Sequence, residues 1–195
     1  MSHPLPFSLP SSSAVLVGGS RALQHTSPAW VACRQFVRAL LVSGGSIHVG
    51  CATGADQSVF SSLSGSARVS VFAAFAPSGA GSFSGSAASA VRAFAAAGGS
   101  VSWLAGGSLA VPLVARLMAR SIAALRGCSA AVFFSPGVGS LKVARAALRS
   151  GIPVLVSCVG LSQAITPVLA VTPVLVSWLG QLFWLYAPPV QSALL

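Results

Sequence analysis

The chain has 195 residues, enough for one domain with a full core and an appendage. It is 54% hydrophobic and 6% charged, with a mean hydropathy of +0.85, where ordinary soluble domains carry roughly a quarter charged residues. A single acidic residue, Asp56, stands against eleven Lys and Arg, which excludes hydrolysis by paired carboxylates and leaves magnesium-dependent phosphoryl transfer without its usual ligands.

Ala14 to Val17 is a short apolar run ending in Gly18-Gly19-Ser20-Arg21, read as a buried strand and a tight turn. Pro28 opens a helix whose Trp30, Val31, Phe36, Val37, Leu40 and Leu41 recur at helical spacing up to Gly44-Gly45. Ile47 to Val49 is a second strand, closed by Gly50-Cys51-Ala52-Thr53-Gly54-Ala55-Asp56, with a helix from Ala55 to Leu63. Arg68 to Phe75 is a third strand and Pro77 to Gly85 a Ser/Gly-rich loop. An alanine-rich helix, Ala87 to Ala97, stops at Gly98-Gly99, and Val101 to Leu104 is a fourth strand. Val111 to Leu125 is helical, Ala130 to Phe134 a fifth strand, and Ser135-Pro136-Gly137-Val138-Gly139-Ser140 turns into a helix ending near Ser150. Ile152 to Cys158 is the sixth strand.

Strand and helix alternate, with connections too long for hairpins. The fold class is therefore α/β: a Rossmann-like parallel sheet with helices on both faces, over residues 14–158, after an N-terminal extension of residues 1–13. Ligands of such sheets lie beyond the carboxyl ends of the strands, where the strand order reverses. All three glycine-rich turns follow strands, so all three belong on that edge.

Residues 159–195 carry no charge. This apolar tail reads as a helix, with Trp178, Leu182, Phe183 and Leu185 packed on the domain or on a neighbouring subunit. Leu161 to Tyr186 is long enough to cross a bilayer, but Pro167, Pro173, Gln163 and Gln181 weigh against a span. The four cysteines fall singly in apolar stretches and, with His3, His25 and His48, show no zinc spacing. They suit a reducing compartment. Met1 to Ser13 lacks a secretory pattern, so a cytoplasmic location is expected.

The three turns, in this order, resemble the SLOG superfamily of Rossmann-like domains, with its DprA (Smf)-like, YpsA-like and LOG-like branches. The resemblance runs from about Val15 to Val156 and takes in Arg120, where the family often has an arginine before the fifth strand. It implies a nucleotide or nucleotide-derived ligand held by Gly18, Gly19, Ser20 and Arg21, by Thr53, Gly54 and Asp56, by Arg120, and by Pro136, Gly137, Gly139 and Ser140. The residue chemistry agrees: glycines let backbone N–H groups approach an anion, Arg21 can pair a phosphate, and Thr53 and Asp56 can bond a sugar hydroxyl or a base edge.

LOG hydrolases carry an extended PGGxGTxxE motif with a catalytic glutamate. Here Lys142 and Val143 stand in that region, so the expectation is binding without catalysis. No acid closes the second strand as in NAD-binding Rossmann domains. The formal charge of +10 favours anionic partners, and DprA-like binding of single-stranded nucleic acid is the alternative. A third reading is a structural, self-assembling protein. Low surface charge and the apolar tail point to a homo-oligomer, and membrane attachment is the lesser alternative.

Overall fold

Apolar runs that alternate with period 2 send successive side chains to opposite faces of a sheet, and both faces here find helices. The computed structural model describes residues 3–4, 14–63, 65–82, 86–160, 169 and 171–188. Its strands are β1 (His3–Pro4), β2 (Ala14–Gly19), β3 (Ser46–Val49), β4 (Val69–Phe72), β5 (Ser100–Ser102), β6 (Cys128–Phe134), β7 (Val154–Ser157), β8 (Val174–Trp178) and β9 (Gln181–Tyr186). The helices are α1 (Pro28–Val42), α2 (Ala55–Phe60), α3 (Ser86–Ala96), α4 (Leu113–Leu125) and α5 (Val138–Arg149).

The strands form one sheet in the order β1-β8-β9-β7-β6-β2-β3-β4-β5. From β7 to β5 every pairing is parallel, the Rossmann-like arrangement the alternation of elements predicts. Val15 and Val17 point into one core with Phe36 and Val37 of α1, Val59 and Phe60 of α2, and Val91 and Phe94 of α3. Ala14 and Leu16 point into a second core with Ala124 and Leu125 of α4 and Val143, Ala144 and Ala147 of α5. Helix α1 starts where its sequence signals it: Pro28 occupies the first turn, and the Trp30 N–H donates to Ser27 Oγ at 3.2 Å.

The apolar tail departs from expectation. Residues 174–186 are not a helix but the hairpin β8–β9, antiparallel within itself and along β7. Two residues join the strands, Leu179 (φ 50°) and Gly180 (φ 76°), and two positive φ values in a two-residue loop match the twist of paired strands. Trp178, Leu182, Phe183 and Leu185 satisfy a helical spacing by coincidence; on strands they alternate. Val176, Phe183 and Leu185 enter the first core and Tyr186 the second. These side chains are thus buried within their own chain, which removes the reason for assigning them to a neighbouring subunit. Val174 and Leu182 stay exposed. Among the described residues no helix is long and apolar enough to cross a membrane. Residues 161–168 and 170 of the tail, 1–2 and 5–13 of the N-terminal extension, and 83–85 of the Ser/Gly-rich loop lie outside the described residues.

Candidate nucleotide-binding cleft

The chain order reverses between β2 and β6. From β2 it steps outward through β3, β4 and β5, then returns across the sheet by α4 to place β6 on the other side of β2. Neighbouring carboxyl ends diverge at such a switch point and leave a crevice. A cleft of about 610 Å³ lies there. It is lined by Gly18 and Gly19 at the end of β2, Ser20 and Arg21 just after it, Asp56 of α2, Arg120 of α4, and Gly137, Gly139 and Ser140 at the start of α5. All three turns contribute, and all but Thr53, Gly54 and Pro136 of the expected site residues line it.

Hydrogen bonds lock the turns together. The Ser20 N–H donates to Phe134 O at 3.2 Å, the Ala55 N–H to Ser20 O at 3.1 Å, and the Ser140 hydroxyl to Gly19 O at 2.7 Å. Gly19 is therefore a packing glycine as well as a lining one: a Cβ would sit 2.1 Å from Phe134 O and 2.8 Å from Ala55 Cβ. Gly54 (φ +74°) is likewise pressed against Ser20 O. The Thr53 hydroxyl donates to Arg21 O at 3.2 Å. Thr53 lines a smaller cavity of about 270 Å³, which shares Arg21, Ala52 and Leu117 with the cleft and also borders Cys51 and Phe75.

The floor of the cleft is an ion pair. Arg120 Nη2 donates to Asp56 Oδ2 at 3.1 Å, both side chains about nine-tenths buried, and the Ala52 N–H donates to the same oxygen at 3.1 Å. Arg120 Nε is buried without a partner. Gly50 makes the pair possible, since a Cβ there would lie 1.2 Å from Arg120 Nη1 and 2.3 Å from Asp56 Oδ2. The chain's one acidic side chain is thus held by an arginine. Burial pushes the thiols of Cys33 and Cys128 up to about 12, and that of Cys51, beside the smaller cavity, is also raised chiefly by burial, whereas a nucleophilic cysteine needs a lowered value.

The polar wall is the start of α5. Ser135 takes a left-handed φ of 44° as the chain leaves β6, a conformation costly outside glycine and common at ligand turns. Gly137 is the N-cap and no side chain caps the helix, so first-turn N–H groups remain for a ligand. A Cβ at Gly137 or Gly139 would meet nothing within 4 Å. These two glycines leave open space where Gly19 and Gly54 do not. Lys142 lines the cleft one turn along α5. The opposite wall is apolar, from Val114, Leu117 and Met118 of α4, with Val114 80% exposed at the mouth. That wall escaped the sequence reading because those residues look like the core face of any amphipathic helix. Gly50 and Lys142 were visible only as parts of motifs. Arg116, buried in α4, donates to Val111 O, Ala74 O and Gly81 O and holds the loop after β4.

No protein-family model matches the sequence, and no curated protein does. Solved structures do. DNA processing protein A from Helicobacter pylori, a protein that binds single-stranded DNA, superposes over 78% of this chain and 68% of its own, with a TM-score of 0.60 and 16% identity. The fold is that of DNA processing protein A. The same protein from Streptococcus pneumoniae superposes over 81% of this chain with a TM-score of 0.58 and 17% identity, and this chain spans about half of it, 53%. The likeness places the sheet and its switch point in a DprA-like Rossmann fold.

Proposed function

We propose that the cleft at the β2–β6 switch point binds a nucleotide unit through its phosphate and does not transform it. The observation that carries this reading is the uncapped start of α5, open at Gly137 and Gly139, facing an apolar wall on α4. A phosphate at a helix N-terminus meets N–H donors and a favourable dipole, Arg21 and Lys142 add positive charge, and the α4 wall gives a flat base an apolar surface. The volume suits a small ligand, since such sites are typically about 300–1,000 Å³. The ion-paired Asp56 is the only acidic side chain, which supports holding over hydrolysis.

Gly139→Asp tests the reading with opposite effects on fold and binding. The new side chain enters open space and places a carboxylate in the first turn of a helix, which favours the fold by about 0.3–1 kcal/mol. The same carboxylate occupies the phosphate position. Calorimetry with thymidine and adenosine monophosphates is expected to show at least a tenfold loss of affinity beside an unchanged or raised melting temperature. Arg21→Ala is expected to cost about 1.5–3 kcal/mol of binding, the range for hydrogen bonds to charged groups. Unchanged affinity in Gly139→Asp removes the α5 wall from the site, and unchanged affinity in Arg21→Ala removes the turn after β2.

A second reading has its own support: the nucleotide belongs to a single strand of DNA. The Helicobacter pylori protein of this fold binds such a strand, and a formal charge of +10 suits a polyanion.

A further inference from the structure

Three basic residues of α5 share one face. Lys142, Arg145 and Arg149 are spaced three and four residues apart, all exposed, while Val143, Ala144, Ala147 and Leu148 fill the core on the other side. Three- and four-residue steps place side chains in one row along a helix. The row begins at Lys142, which lines the cleft, and runs away from it. From Gly139 to Arg149 the helix advances about 15 Å, the length of roughly four nucleotides at the ~3.4 Å spacing of a stacked strand. The chain's one acidic side chain is held by Arg120 and does not offset this positive field. Arg38 of α1 and Arg92 of α3 are also exposed, but they lie on the opposite face of the sheet, where Arg38 has only the half-buried Arg34 one turn before it on α1.

We propose that the outward face of α5 is a backbone track: a single strand seated by one phosphate in the cleft continues along α5, with further phosphates on Arg145 and Arg149. The proposal rests on the strand reading of the cleft and goes beyond it, because it fixes the path and length of the bound segment. The recognised chemistry is the sugar–phosphate backbone, so the track reads no sequence.

The test uses the full chain and 5′-phosphorylated oligothymidylates of one, two, four and eight nucleotides, titrated at several salt concentrations. Affinity is expected to rise with length up to about four nucleotides and then level off. In Arg145→Ala/Arg149→Ala that gain is lost, and the slope of log K against log salt on the eight-mer falls by about 1.4, at about 0.7 per phosphate contact on single strands. Arg38→Ala/Arg92→Ala removes the same charge elsewhere and should leave both quantities near wild type. Circular dichroism checks that α5 stays helical. Equal losses in the two double variants, or no gain with length in the wild type, overturn the track. Thymidine monophosphate should bind alike to all three proteins. Its failure to bind the wild type refutes the cleft reading instead, while a length gain that depends on Arg145 and Arg149 still supports the track.

Discussion

Asp56→Ala is expected to lower the unfolding free energy by about 3–5 kcal/mol, the cost of breaking a buried ion pair by removing one partner. Little else reaches Arg120. Gly50 leaves no side chain over it, its Nε already lacks a partner, and the sequence holds no other acid to replace Asp56. The Ala52 N–H would lose its acceptor as well. Because a domain is stable by only about 5–15 kcal/mol, urea unfolding should reveal the change directly. Asp56→Ala/Arg120→Met separates the stranded charge from lost packing: with both charged partners gone, most of the lost stability should return. A single variant within about 1 kcal/mol of wild type would mean that solvent reaches the pair and that it does not organise the cleft floor.

Removing the β8–β9 hairpin should have the larger effect. A chain of residues 1–159 loses Val176, Phe183, Leu185 and Tyr186, each at most 3% exposed. Fully burying a side chain of this size stabilises by about 1.5–3 kcal/mol, so four of them approach the whole stability of a domain. Phe183 also packs edge-on against Phe36 at 5.4 Å between ring centroids, and Phe134 lies 6.1 Å away, which ties β9 to α1 and β6. The cut further bares the edge of β7, an unpaired edge of the kind that templates aggregation. Thermal melts followed by near-ultraviolet circular dichroism should lose their cooperative transition in the shortened chain. A cooperative melt within a few degrees of the full chain would make the hairpin an accessory and return the apolar tail to a role outside the domain.

The contrast between that hairpin and the rest of the sheet shows what the sequence makes legible. Strands β2, β6 and β7 are largely apolar runs, β2, β3 and β6 lead into glycine turns, and the long connections leave few topologies, so the location of the three motifs on one edge could be read in advance. The tail has one glycine after Gly160, Gly180. Its spacing of large side chains fits a helix as well as two strands, and only the turn conformation at Leu179-Gly180, with pairing to a strand that precedes it in sequence, decides between them. The glycines divide for a similar reason. Gly18, Gly19, Gly54, Gly137 and Gly139 look alike as letters, yet Gly19 and Gly54 are required by the close approach of backbone across the sheet, whereas Gly137 and Gly139 face open space. Asp56 and Arg120 were both expected at the site, but their pairing spans 64 residues and follows from the fold, not from any local pattern.

A crystal structure of the protein with 5′-phosphorylated thymidine dinucleotide tests the central claim most directly, because it locates the phosphate. The 5′ phosphate is predicted to lie about 3 Å from first-turn N–H groups of α5, between Arg21 and Lys142, with its base against Val114, Leu117 and Met118. A phosphate seated elsewhere on the surface, or held in the smaller cavity beside Cys51 and Phe75 with the start of α5 unoccupied, would contradict it.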